Sequence, residues 1–483
     1  MKIAQITPEI YPFSALDRRG YNQLRSNILL LSQNLALHGH EVFVFTPLYG
    51  SIDKQEHGLN ITDHKTWVSV SGKIVEFEIY EKEMDGIYFY FFSNSGLFDR
   101  NGVYGYGNID FTDNEIRFGA FCQACLNFIN TNIPDMHIMH SHNWPAALIP
   151  TYKSYRYPKM KCKTVLTIHD LAVQGIFNRF SMETLSLPWD MYTMECLEYY
   201  DNINILKGGI VYANAVIALN VLQAESFLMH DTGFGLDGVF RRHQNKLVTI
   251  ANGIDSKSWD PLTDAYLDER YNWSSLGKRK INKVKFCERF SLDNEKPLFC
   301  VINRYVSKEG IDIVLKTLPS IMKNDMRLFL YGRGEEPYVD KLFEQQRVYE
   351  NIRVVKDNDP AIFHNILASA DFIVITSGTP SMEKERRLAM RYGAIPIIRG
   401  YVDICDTTRT AKNEVIGFKN LDDFELALQK AISFYYDKEN KDRHISEIMQ
   451  CDNSWDFTAK EHEELYYGLI NSRKQNNLWG YSK

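Results

Sequence analysis

Between residues 303 and 310 the chain reads Asn-Arg-Tyr-Val-Ser-Lys-Glu-Gly. The apolar run 298–302 before it reads as a buried strand, and 311–315 after it opens a helix with apolar periodicity. A strand, a charged turn and a glycine-led helix suit an anionic ligand in an open parallel sheet. Ligands sit beyond the carboxyl ends of such strands, and helix N-termini attract phosphate. Arg304 and Lys308 bring two cations to this turn, while Glu309 brings an anion. A second chemically able residue, His169, stands at the carboxyl end of the apolar run 164–168.

The surrounding elements must hold these groups. Residues 2–7 read as a first buried strand, and a turn-rich, charged loop follows from Pro8 to Gly20. Residues 24–37 carry apolar side chains at helical spacing and stop at Gly39, a C-cap signal. Residues 41–47 form a second strand, which completes a βαβ unit. Aromatic-rich alternation over 66–92 predicts strands added to that sheet. A helix is expected over 118–129, strand ends at 137–140 and 164–169, and further short strands over 211–219 and 247–250.

After a helix-and-loop region near 260–294, a second strand-helix series begins, with strands at 298–302, 327–331, 352–355, 371–375 and 394–398. The pattern predicts an α/β protein of two doubly wound halves joined near residue 262, with a cleft between them where ligands bind. The expected domains are 1–262, with 456–483 packing back on it, and 263–455.

A chain of 483 residues has room for two such cores. Its 45% hydrophobic and 24% charged content is ordinary for a soluble protein, and the formal net charge is −6. The most basic stretch, 278–285, is expected to be a solvated helix face rather than a nucleic-acid patch. Eight scattered cysteines suit a reducing compartment, and Cys122-x-x-Cys125 reads as core packing. Residues 1–9 lack the apolar core of a signal peptide, and no run of about 18 apolar residues appears. A cytoplasmic protein without membrane contact is the expectation.

Ordered motifs then make a specific likeness. They include Leu97-Phe98-Asp99-Arg100, Asp113-Asn114 with Arg117-Phe118, His140-Ser141-His142-Asn143-Trp144, and Thr167-Ile168-His169-Asp170 through Gly175. Further on come Asn204-Ile205-Leu206-Lys207-Gly208-Gly209, Gly235-Leu236-Asp237-Gly238, Ala251-Asn252-Gly253-Ile254-Asp255, Trp259-Asp260-Pro261, Arg391-Tyr392-Gly393 and Ser454-Trp455. With these the chain resembles the bacterial glycogen synthase and plant starch synthase family nearly end to end.

The resemblance implies a retaining glycosyltransferase of the GT-B fold, two facing Rossmann-like domains. It implies transfer of glucose from ADP-glucose or UDP-glucose to an α-1,4-glucan, without metal or cofactor. Cations at the leaving diphosphate would then be the main catalytic device, each such donor being worth ~3 kcal/mol. Three family positions are retained: Arg304 matches the arginine that faces the diphosphate, His169 the histidine near the donor glucose, and Asn252 the asparagine of the cleft turn.

Other positions depart. The family's phosphate lysine is Glu309, its H-x-H-D-W aspartate is Asn143, and its E-P-x-G-L glutamate and glycine become Pro380 and Glu383. The amino-terminal K-x-G-G loop is replaced by residues 14–20, and a later T-G-G turn reads Tyr401-Val402-Asp403. A glutamate in place of the lysine adds repulsion on the order of 4 kcal/mol for unit charges about 4 Å apart at an effective dielectric near 20. Lost glycines also withdraw backbone N–H groups from phosphate. Lys308, Arg18 and Arg19 are candidate substitutes for the missing cations, and Glu383 or Glu385 for the missing glutamate.

Three readings follow. The first is a synthase-fold protein of lost or much-reduced activity that binds glucan or regulates storage-polysaccharide metabolism with a protein partner. The second is an active transferase with a rearranged donor site. The third is a structural interaction protein that binds no sugar. The retained residues and the clustered losses favour the first.

Overall fold

The structure, a computed structural model, describes residues 1–13, 22–100, 102–106, 109–377, 382–400 and 416–471, without the side chains of 22–25, 308 and 382. The chain divides into two compact units, Met1–Ala251 with the chain from Thr458 onward, and Asn252–Phe457. The sequence-derived boundaries at 262 and 456 fall slightly inside the second unit.

The first unit is built on a nine-stranded sheet. Its order is Leu247–Thr249, Ala215–Ala218, Lys163–Thr167, Ile138–His142, Lys2–Ile6, Glu41–Pro47, Ile87–Ser93, Lys73–Met84 and Asn60–Val70. Pairing is parallel from Leu247–Thr249 through Ile87–Ser93, and the last two strands join antiparallel. The chain starts at Lys2–Ile6 and works outward in one direction before returning to pair Ile138–His142 on the other side. The carboxyl ends of these two strands therefore mark a topological switch point, where a crevice opens in doubly wound sheets.

The aromatic-rich alternation expected over 66–92 is the antiparallel extension of this sheet. The strand expected over 211–219 is corrected. Ile205–Tyr212 is helical, with Asn204 accepting from the Lys207 N–H as its cap, and only Ala215–Ala218 pairs in the sheet. An apolar run with a cap before it folds as a helix because the cap supplies an acceptor for its first free N–H groups.

In the second unit six parallel strands run in the order Ile352–Lys356, Arg327–Gly332, Leu298–Ile302, Phe372–Ile375, Ile395–Arg399 and Ile416–Phe418. Side chains alternate across this sheet. Phe299, Val301, Leu328, Leu330, Phe372 and Val374 enter one core. Leu298, Cys300, Phe329, Tyr331, Ile373 and Ile375 enter the other. Burial of both faces is why these strands read as continuous apolar runs. Strand order reverses between Leu298–Ile302 and Phe372–Ile375, so the second switch point lies beside Asn303 and Thr376.

The basic run 278–285 is only in part the solvated face expected. It lies on the helix Leu276–Arg289, where Arg279, Asn282 and Lys283 are buried. Arg279 donates to the carbonyl oxygens of Tyr392, at 2.9 Å, and Ala370. Lys283 pairs with Asp371 at 2.8 Å. Two cations thus serve as internal ties, each with acceptors that make its burial tolerable.

Candidate functional site

At the first unit's switch point, His140 and His142 sit one pleat apart on a fully buried strand end. His142 Nδ1 meets His169 Nε2 at 3.1 Å, and His142 Nε2 meets the Gln5 carboxamide oxygen at 2.8 Å. An oxygen there demands a donor, so His142 carries its proton on Nε2. Its Nδ1 then accepts from His169 Nε2–H, and His169 Nδ1 is left as an acceptor. Behind them His140 bridges Thr167 Oγ1 at 2.6 Å and the Tyr466 hydroxyl at 2.8 Å. Burial pushes the His169 imidazolium down to about 3 and that of His462 down to about 4. Burial also drives His140 and His142 well below the ordinary range. The cluster is a relay of neutral rings that can order hydroxyl groups, and it offers no cation to a phosphate.

Asn143 supports this arrangement. Its backbone has φ 57°, a conformation asparagine and aspartate adopt more readily than most residues. Its side-chain oxygen accepts from the His169 N–H at 2.8 Å and the Asp170 N–H at 3.3 Å. The departure from aspartate therefore keeps the acceptor that shapes the His169 turn while removing a charge beside the imidazole.

At the second unit's switch point, Asn303 and Tyr305 are buried and Arg304 between them is exposed. Asn303 Nδ2 donates to the Glu309 carbonyl at 2.6 Å and to Thr376 Oγ1 at 2.9 Å. Thr376 Oγ1 donates to the same carbonyl at 2.7 Å. Gly310 follows in the left-handed region with φ 81°, and a Cβ there would stand 2.6 Å from the Thr376 carbonyl oxygen. These contacts stitch the loops after the two central strands together and fix Glu309 at the helix entrance. The position expected to hold a phosphate-binding lysine thus presents a partly exposed carboxylate.

The helix Met382–Arg391 brings two further carboxyl groups, Glu383 and Glu385, among four basic residues. Glu383 accepts from Arg386 Nε and Nη2, along one edge of the guanidinium, and from Arg387 Nε at 3.0 Å. Burial alone would raise the Glu383 carboxyl, but the two guanidiniums hold it below the ordinary value. Arg387 is fully buried, and both its Nη atoms lack partners among the described residues. Glu385 has a buried carboxyl oxygen that accepts no hydrogen bond among the described residues. Its carboxyl is pushed up to about 7 by burial, with Glu309 and Glu383 adding to the rise. Glu383, expected as a substitute carboxylate, is therefore engaged in an internal ion pair. Pro380, Arg18 and Arg19 lie outside the described residues, as do residues 401–403 and the Lys308 side chain.

Asn252 opens the second unit in a half-buried turn. That turn is fixed by a parallel bridge from Ile254 to Ser454 and by close packing of Gly253 on the Trp455 backbone. Other motifs also meet as pairs. Arg391 Nη2 reaches Asp260 at 2.9 Å, and Asp264 accepts from both His364 and the Tyr392 hydroxyl at 2.6 Å. Arg100 clamps Asp113, while Arg117 holds the carbonyls of Leu97 and Val103. Asn204 Nδ2 donates to Gln174 at 2.6 Å, and Lys207 Nζ to the Met194 carbonyl at 2.8 Å. Most of the recognisable motifs are thus clasps of the fold. Cys122 and Cys125 are buried in the helix Asn114–Asn132, where burial raises both thiols.

The family model for the starch synthase catalytic domain matches residues 2–242. A glycogen synthase from Thermodesulfovibrio yellowstonii is 32% identical over 501 residues, covering 98% of this chain and 99% of that one. This chain belongs to the glycogen and starch synthase family. Another relative, a glycogen synthase from Myxococcus xanthus, is 30% identical and covers 97% of this chain and 100% of its own. The solved catalytic domain of starch synthase IV from Arabidopsis thaliana, bound to ADP and acarbose, superposes with a TM-score of 0.74. It is 25% identical and covers 97% of this chain and 99% of that one.

The fold of this synthase-family chain is accordingly GT-B, as its residues implied. Among the described residues no helix is long and apolar enough to cross a membrane, and no acidic, histidine or cysteine group is arranged to hold a metal ion. Gln5, His142, Asn303 and Thr376 escaped the sequence reading as site residues. Gln5 left a trace as a polar residue inside the apolar run Ile3–Ile6, and His142 and Asn303 stood inside quoted motifs without a role assigned.

Proposed function

We infer that this synthase-family protein has much-reduced nucleotide-sugar transferase activity and acts as a glucan-binding or regulatory member of α-glucan metabolism. The observation that carries this reading is Glu309. It stands at the switch point where a phosphate lysine is expected, held there by Asn303 and Thr376. The neighbouring helix supports the reading because Glu383 engages Arg386 and the Nε of Arg387, and Glu385 adds a further carboxyl. Loss of a glucose–diphosphate bond builds negative charge on the leaving group, and preorganised cations are what stabilise it. Carboxylates there act against both donor binding and the transition state.

The retained His169, Arg304 and Asn252 suit a protein that still binds sugar or nucleotide. The relatives are named glycogen synthases, and the starch synthase structure holds ADP and an oligosaccharide. Those facts favour a second reading, an active transferase with a rearranged donor site that takes ADP-glucose or UDP-glucose. A cytoplasmic setting and a protein partner complete the first reading.

The deciding experiment measures glucose transfer from ADP-glucose and from UDP-glucose to glycogen, beside binding of each nucleotide and of malto-oligosaccharides. Glucan binding without turnover is the expected result. Turnover of about 1–1000 per second, the range of ordinary enzymes, would establish the second reading instead.

A further inference from the structure

Asp371 stands at the amino end of the strand Phe372–Ile375, and its carboxylate accepts from the Leu298 N–H at 2.9 Å. Leu298 opens the neighbouring strand, whose far end leads into Asn303. Five residues of strand at about 3.3 Å each put Leu298 roughly 16 Å from Asn303. Asp371 therefore marks the edge of the sheet opposite the second switch point.

Three buried cations lie in its field, Arg279, Lys283 and Lys441. Two are fully tied. Lys283 gives its three N–H groups to Asp371 at 2.8 Å, the Tyr435 hydroxyl at 3.0 Å and the Lys296 carbonyl at 2.8 Å. Arg279 donates to the carbonyls of Tyr392 and Ala370. Lys441, on the helix Lys438–Gln450, is 9% exposed. Its Nζ lies 3.9 Å from the centroid of the Tyr435 ring, which Lys283 Nζ also approaches, at 4.8 Å. Unlike the other two, Lys441 has no hydrogen-bond or ion-pair acceptor among the described residues. A buried ammonium normally has an acceptor, and a ring face replaces one only in part.

The surrounding charge does not supply that acceptor. A second carboxylate nearby, Asp442, pairs with Lys280 at 3.4 Å. Four cations, Arg279, Lys280, Lys283 and Lys441, thus face two carboxylates, Asp371 and Asp442, and two positive charges are in excess. Burial pushes the Lys441 ammonium below its usual value, and Lys283 and Arg279 push it the same way.

We propose that Lys441 belongs to an anion site of the second unit, on the amino side of its sheet, that takes a phosphate group. A phosphate carries close to two negative charges at neutral pH and presents several acceptor oxygens to a point cation. Nucleic acid and acidic protein surfaces need cations spread over an exposed face, whereas these three are buried. A bound phosphate would join Lys441 to the Asp371 network and tie the helix Lys438–Gln450 to the helix Leu276–Arg289. Its occupation needs no working donor site, because Glu309 lies beyond the other edge of the sheet.

The test is calorimetry and thermal melting of the full chain with inorganic phosphate and with glucose 1-phosphate at constant ionic strength. Lys441→Met keeps the stem over Tyr435 and removes the charge, Lys441→Arg keeps the charge, and Arg304→Ala removes the exposed cation at the second switch point. Phosphate is expected to bind the unsubstituted chain and raise its melting temperature. Lys441→Met should weaken binding about tenfold or more, and Lys441→Arg and Arg304→Ala by less than about threefold. Without phosphate, Lys441→Met should melt no lower than the unsubstituted chain, since it removes a buried charge that has no acceptor. Affinity for glucose 1-phosphate about tenfold above that for phosphate assigns the site to phosphate esters, and equal or lower affinity assigns it to the free anion. Binding lost in Arg304→Ala but unchanged in Lys441→Met places the phosphate at the switch point and overturns the site. An unsubstituted chain that binds neither probe at millimolar concentration overturns it as well.

Discussion

His142 Nδ1 and His169 Nε2 stand 3.1 Å apart, and only one proton can occupy that line. Adding a proton to His142 would set two N–H groups against each other. The buried relay therefore resists charge by geometry as well as by desolvation.

A pH dependence of stability follows. Unfolded histidines titrate near 6.5, whereas folded His169 and His462 do so at about 3 and about 4. The folded state binds fewer protons between these limits. Stability is full above pH 6.5 and falls as the pH drops toward 3, by about 1.4 kcal/mol per pH unit for each ring neutral when folded and charged when unfolded. Urea unfolding between pH 7.5 and 4.5 is expected to show this slope, shallower in His462→Asn.

Asn143→Asp returns a carboxylate to the His169 turn. The side chain still accepts from the two backbone N–H groups, so stability is expected to change by less than about 1 kcal/mol. The added charge should raise the His169 pKa. An NMR titration of the imidazole reads this directly, and an unmoved His169 would show that residue 143 faces it only through the backbone.

Glu309→Lys exchanges a repulsive charge for an attractive one at the second switch point. Calorimetry is expected to give ADP binding tightened about tenfold, allowing for solvent screening at a partly exposed site. Transfer should remain slow, because the other expected departures, at 143, 380 and residues 14–20, stay. Full recovery of turnover from this one change would mean that a single charge had been limiting.

Glu383 and Glu385 respond oppositely. Glu383→Ala strands Arg386 and Arg387, and loss of one partner of a buried ion pair costs about 3–5 kcal/mol. Denaturant midpoints should fall accordingly. Glu385 has its folded pKa raised to about 7 from 4.5. Its share of stability is present below pH 4.5, falls as pH rises toward 7, and stays lost above. Glu385→Gln is thus expected to be more stable than the unsubstituted chain at pH 8 and equal to it at pH 4.

Fold and family were legible in the residues for particular reasons. The strands around Leu298–Ile302 and Phe372–Ile375 are buried on both faces, so every position is apolar and the run announces itself. Arg304 and Glu309 were readable because a loop between such a strand and a glycine-led helix has few places to go. The helix Ile205–Tyr212 was obscured because its apolar residues continue almost into the next strand.

By itself the sequence determined the α/β class and the family, and it set the expectation of where donor chemistry departs. Those depend on residue type and local order, which the chain carries in one dimension. Only the tertiary structure decided what the departures mean physically. It joined Gln5, His142 and His169 across three strands, tied Glu309 to Asn303 and Thr376, and turned Glu383 inward onto two arginines. Such partners are far apart in the chain or set by side-chain direction, and burial and hydrogen-bond polarity exist only once the strands lie side by side.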